Sequence, residues 1–323
     1  MDKSIATEDN SSLLSNISDI NDIYLTLPEN IQRQQLALTL SSTIILNICI
    51  FFMLLIIIFL IIEFCNPSSQ LQSSYFYLIF FGFVLFSLCT IIQDVTGAIE
   101  GDIKALINNS IRWYLNFDLA CWNTFLAMNR ASALAFPTKY EKFWGKELTI
   151  VYSVFIFIFP FLVDGRSILD ICFWKGYTKE CASFQLSDQW FCSIWNITLA
   201  FFSLFLTLIS ISYSKKNGYT ATKKVETRLM LQTAFSSTMI VLSSCSQLLS
   251  VIYYRNKSKT MFVQYAGLSE IITGAYFCPV IIVLFFASSL FRNNFLRFYR
   301  LNRFVLHGRT VRVTQSTVET KFN

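Results

Sequence analysis

Seven apolar blocks dominate this chain, near residues 38–62, 73–97, 113–135, 148–168, 191–213, 229–253 and 263–288. A helix needs about 20 apolar residues to cross a hydrocarbon layer roughly 30 Å thick. In lipid, helices satisfy their own backbone hydrogen bonds, so blocks of this length read as membrane-crossing helices. Composition agrees: 54% of the 323 residues are hydrophobic and 14% are charged. A soluble domain carries about 25% charged residues. The expected fold is therefore all-α, a seven-transmembrane helix bundle.

The blocks are not equally clear. The first, from Ile44 to Ile62, is almost wholly aliphatic and aromatic. The third carries Asp118, Asn123 and Asn129, and without it both termini would share a side. The fourth is expected to break at Pro160 before reaching Asp164, Gly165 and Arg166. The polar, acidic start lacks the basic and short apolar stretches of a cleaved signal peptide, so the first block reads as a retained span.

Charge sets the expected orientation, because cytoplasmic loops near spans are enriched in Lys and Arg. With the N-terminus outside, the inner segments are 63–72, 136–147, 214–228 and the tail from 289. Together with Arg130 they hold 16 basic and 5 acidic residues, against 10 basic and 12 acidic on the other side. Sequons supply an independent test, since N-glycans are added on the lumenal side. Asn10, Asn16, Asn108 and Asn256 head N-x-S/T triplets, and all four fall on the outer side. Asn196 also heads one, but inside a span and out of reach. The chain thus divides into an extracellular segment, 1–37, a seven-helix domain, 38–288, and a cytoplasmic tail, 289–323. From Phe291 to Phe304 the tail alternates bulky apolar residues with Arg292, Arg297, Arg300 and Arg303, which reads as a short basic helix on the inner leaflet.

Enzyme signatures are missing. The single His, His307, excludes a multi-His zinc site, and no HExxH, P-loop, GxSxG or CxxC occurs. No metal, cofactor or nucleic-acid partner is expected. Most of the nine Cys lie within apolar blocks, where Cys behaves as a small hydrophobe. Only Cys172, Cys181 and Cys192 lie in or beside a polar loop, so a disulfide is expected among them.

Ionisable groups within a span are costly and usually face the bundle interior or water. Asp94, Asp118 and Glu270 all fall in the outer half of their spans. An outward cavity with an acidic lining would take a small polar or cationic ligand. Trp122, one turn beyond Asp118, is the aromatic candidate for the same lining. The bland alternative is that each acid pairs with a neighbouring helix or snorkels to the headgroups.

The inner end of the third block reads Met128-Asn129-Arg130, then Phe136-Pro137-Thr-Lys139-Tyr140-Glu141-Lys142-Phe-Trp144. The helix dipole favours an Arg at this end, and Pro137 helps to stop the helix. The aromatic and basic loop that follows resembles the second cytoplasmic loop of nematode serpentine chemoreceptors, with the serpentine receptor class gamma (Srg) superfamily nearest. The spacing from Arg130 to Pro137 is also similar to rhodopsin-like G-protein-coupled receptors. The resemblance implies a chemosensory receptor in the plasma membrane, in a sensory-neuron cilium by analogy, that detects a small environmental or pheromone-like molecule. Its partners would be that ligand, the lipid bilayer and a heterotrimeric G protein. Arg130 would contact the G protein on activation, Pro137 and Tyr140 would shape the docking loop, and Lys223, Lys224 and Arg228 would line the same mouth.

The chain departs from rhodopsin-like receptors at several points. Asn129 stands where they place an acid, and Cys278-Pro279-Val-Ile-Ile282 stands in place of Asn-Pro-x-x-Tyr. The sixth block has no Pro. The outer start of the third has no Cys, leaving Cys172 with Cys181, or Cys181 with Cys192, to replace their usual disulfide. The alternative to a receptor is a ligand-gated channel or transporter. That reading expects repeats, broken helices at the midplane or a continuous charged path.

Overall fold

The computed structural model describes residues 28–69, 71–97, 102–174, 179–216 and 221–301. Nine helices of ten residues or more occur among the described residues: α1 (Glu29–Cys65), α2 (Ser74–Gly97), α3 (Asp102–Ala135), α4 (Lys146–Asp164), α5 (Ala182–Lys216), α6 (Ala221–Arg255), α7 (Lys259–Ala275), α8 (Phe277–Ala287) and α9 (Ser289–Phe298). No strand is present among them. Six stretches are long and apolar enough to cross a membrane: α1, α2, α4 with the turn after it, α5, α6, and α7 continued by α8. Helix α3 is long enough but too polar to be counted with them.

Packing explains why α3 can be polar. It lies against α2, α4, α5 and α6, so its amides meet other helices and not lipid. Asn123 Nδ2 donates to Ser237 Oγ on α6 at 2.8 Å, and Thr124 Oγ1 lies 3.0 Å from Ser203 Oγ on α5. Lipid-facing positions are apolar, as with Phe51 and Ile58 on α1, Val151 on α4 and Phe205 and Leu208 on α5.

Small residues let some helices approach closely. On α2, a Cβ at Gly82 would run into the Trp122 ring. Trp122 Nε1 donates to the Leu78 carbonyl at 2.8 Å, and its ring lies against Phe83 and Phe277. Helix α1 packs on α7 in the same way. Gln35 covers Gly267, Ser42 sits against Gly274, and Ser42 Oγ donates to the Glu270 carbonyl at 3.0 Å.

Prolines act differently at two places. Pro160 does not end α4, which runs on to Asp164 before a 3-10 segment, Gly165–Leu169. Proline removes one backbone donor, and neighbouring groups in a bundle can take up the freed carbonyls. Near that point Tyr114 Oη donates to the Phe157 carbonyl at 3.1 Å. Pro279 coincides with a real break, since α7 stops at Ala275 and α8 starts at Phe277. The junction stays tight, with Tyr276 N donating to the Thr273 carbonyl at 3.2 Å.

Ser288 caps α9 by accepting from Phe291 N at 3.1 Å. This tail helix is shorter than the sequence suggests among the described residues, and its apolar face docks on the bundle. Phe291 and Phe295 are buried and meet Phe59 of α1 edge-on, with ring centroids 5.4 Å apart in both pairs.

Candidate functional site

A cavity of about 710 Å³ opens between α1, α2, α3, α5, α6 and α7, at the end of the bundle where α2 finishes and α7 begins. Most of its polar wall is neutral, with Asn47, Gln93, Asn116, Gln247, Ser243 and Thr273 among the lining. Four side chains of the charged residue types join them: Asp94, Asp188 and Glu270 are acidic, and Arg112 is basic. Phe173, Phe184 and Trp113 add apolar surface. The volume suits a small organic molecule.

Two of the acids expected from sequence, Asp94 and Glu270, are therefore in the wall. Asp118 and Trp122 are not among the lining residues. Asn116 and Ala120 face the cavity from α3, and at 100° per residue Asp118 points away from that face. It is buried beside Cys89 and Cys121, and its Oδ1 has no donor among the described residues. Trp122 is held by Leu78 and packed into the core, 1% exposed.

Sequence reasoning passes over the α5 wall. Gln185, Asp188, Gln189 and Asn196 all line the cavity from there. The available signal is a recurrence of amide and acid side chains at helical spacing across the start of the fifth block. Asp188 lies beside Asp164 of α4. Asp164 accepts from Trp113 Nε1 at 3.1 Å and Ser167 Oγ at 2.7 Å. The linker before α5 is closed by a disulfide between Cys172 and Cys181, while Cys192 is a free, buried thiol. Cys172 and Phe173 bring this linker into the cavity wall.

At the opposite end the described residues pack tightly around Arg130. Arg130 is buried, 4% exposed, with its guanidinium carbon 3.3 Å from the centroid of the Tyr75 ring. Tyr75 Oη donates to Gln232 Oε1 on α6 at 2.7 Å. Beside them, Asn129 Nδ2 donates to Ser74 Oγ at 2.9 Å. Tyr140 Oη lies 2.7 Å from the same hydroxyl and 3.2 Å from Asn129 Oδ1. Pro137 begins a one-turn 3-10 segment that leads into the short helix Tyr140–Phe143. Asn129 thus joins α3 to α2 and to the loop by neutral hydrogen bonds, where an acid would have paired with a charge. Lys223, Lys224 and Arg228 lie on the first turns of α6, and their side chains fall outside the described residues.

Of the sequons, Asn10 and Asn16 lie outside the described residues. Asn256 is exposed in the turn between α6 and α7. Asn108 is different, being part of α3 and half-buried.

Six helices long and apolar enough to cross a membrane, a polar cavity at one end and Arg130 buried at the other mark a multi-pass helical membrane protein. A family model described as Srg family chemoreceptor matches residues 109–295, more than half of the chain. The chain belongs to that family. No curated protein gives a significant match.

Proposed function

We propose that this chain is a G-protein-coupled chemosensory receptor that binds a small polar or cationic molecule from outside the cell. In this reading α3 is the seventh crossing element, buried centrally among its neighbours. The N-terminus and the cavity then lie outside, and Arg130, the Tyr140 loop and the tail helix face the cytoplasm. The positive-inside charge balance and the exposed sequon at Asn256 support that orientation.

The observation that carries the reading is the buried contact of Arg130 with Tyr75, tied to α6 through Gln232. It closes one end of the bundle while the other end holds a ligand-sized cavity. Such an arrangement can exist in two states, and a ligand preferring the open state shifts the population toward it. Arg130, Pro137 and Tyr140, with Lys223, Lys224 and Arg228, would then form the G-protein face. Asp94 and Glu270 would meet the ligand directly, and Asp118 would act only through helix packing.

The test needs no ligand. Basal nucleotide exchange is measured across a panel of Gα subunits for the intact receptor and for Arg130→Gln at matched surface expression. Loss of exchange in the variant is the expected result. A chain that activates no Gα but carries ion current overturns the reading in favour of a channel.

A further inference from the structure

We propose that the cavity takes a protonated amine, whose N–H groups are received on the α5 wall by Asp188 and Asn196. This deepens the receptor reading and rests on it for the cavity's role. Both residues line the cavity. Asp188 Oδ1 and Asn196 Oδ1 are each buried and have no hydrogen-bond donor among the described residues. Asn196 is 7% exposed, and among the described residues its amide N–H reaches only Cys192 Sγ, at 3.5 Å.

Buried polar atoms in folded proteins nearly always find a partner, and an orphaned acceptor destabilises the fold. Both of these oxygens are acceptors, so a molecule that satisfies them must donate. Charge points the same way, because three acids and one Arg line the cavity.

The acid pair behind the wall adds a chemical reason. Asp188 lies beside Asp164, and two carboxylates placed so close repel one another when both are charged. Asp164 already has donors in Trp113 Nε1 and Ser167 Oγ. An ammonium at Asp188 would bring both a positive charge and N–H donors to the member of the pair that lacks them. Phe173, Phe184 and Trp113 offer apolar surface and ring faces to the carbon skeleton. Asp188 and Asn196 are eight residues apart on one helix, about 12 Å along its axis. An elongated amine with a donor at each end can reach both.

The experiment uses the full-length receptor in lipid nanodiscs and four eight-carbon probes: 1,8-diaminooctane, 1,8-octanediol, octanedioate and the bis-trimethylammonium analogue. The unfolding midpoint is followed against probe concentration. The diamine is expected to raise it saturably and the diol and dioate to leave it unchanged. Asp188→Asn, which keeps the side chain's shape and removes its charge, and Asn196→Leu are each expected to weaken the diamine about tenfold. The inference is overturned by preference for the dioate, by unchanged diamine affinity in Asp188→Asn, by equal binding of the quaternary analogue, or by no saturable effect of the diamine. The two readings fail separately. Diamine binding with no Gα exchange would remove the G-protein assignment alone, whereas Arg130-dependent exchange without diamine binding would remove only the amine.

Discussion

Tyr75 and Gln232 are joined by a 2.7 Å hydrogen bond between α2 and α6, 157 residues apart in the chain, and the Tyr75 ring lies beneath the buried Arg130. One side chain therefore holds α6 and the arginine together. Replacing Tyr75 by Phe keeps the ring under Arg130 and removes only the hydroxyl. A buried hydrogen bond contributes about 1 kcal/mol. Basal Gα exchange should therefore rise about fivefold in Tyr75→Phe, and by a similar factor in Gln232→Leu. The double variant should show little further increase, since both changes remove one interaction.

The close approach at Gly82 predicts a packing defect. A Cβ there meets the Trp122 ring, which is pinned by its bond to Leu78 and wedged between Phe83 and Phe277. Overpacking of this kind costs about 1–3 kcal/mol. Gly82→Ala should lower the unfolding midpoint in detergent, with intrinsic Trp fluorescence as the readout. In a Trp122→Leu background the added methyl should cost much less.

The bond between Cys172 and Cys181 closes a short loop that carries part of the cavity wall. Removing it should cost about 2–3 kcal/mol by releasing the loop in the unfolded chain. Cys172→Ser and Cys181→Ser should lower stability equally, and the double variant no further. Cys192→Ala should retain the disulfide, seen as an unchanged mass shift on reduction and alkylation.

Glycosylation tests the proposed orientation and distinguishes two sequons. Asn256, exposed in a turn, is expected to carry a glycan, whereas Asn108, half-buried within α3, is expected to carry none. Single Asn→Gln variants read by gel mobility check this. A glycan on Asn256 together with a cytoplasmic C-terminal reporter supports the outward cavity. A C-terminal reporter outside the cell would reverse it.

The tail helix predicts a release phenotype. Phe291 and Phe295 pack against Phe59. Deleting a buried Phe side chain costs about 3–5 kcal/mol. Phe291→Ala should therefore undock α9 and speed tryptic cleavage at Arg292 and Arg297, with the helices before it still intact.

The amino-acid sequence by itself determined six of the seven expected membrane-crossing helices, because a long apolar run in lipid has little choice but to be a helix. It also placed Arg130, Pro137 and Tyr140 near one another, since they lie within a few turns along the chain. The loop cysteines were likewise narrowed to three, though their pairing was left open. What it could not reveal was helix rotation. A helix apolar on nearly every side, such as α1 or α8, has no marked face to aim at its neighbours. Only packing decided that Asp118 and Trp122 turn away from the cavity while Asn116 faces it, a matter of about 200° between Asn116 and Asp118. Tertiary structure also chose the partners far apart in sequence, bringing Gln232 to Tyr75 and Asp188 to Asp164. Those pairings depend on how six or more helices fit together, and no local spacing along the chain records that fit.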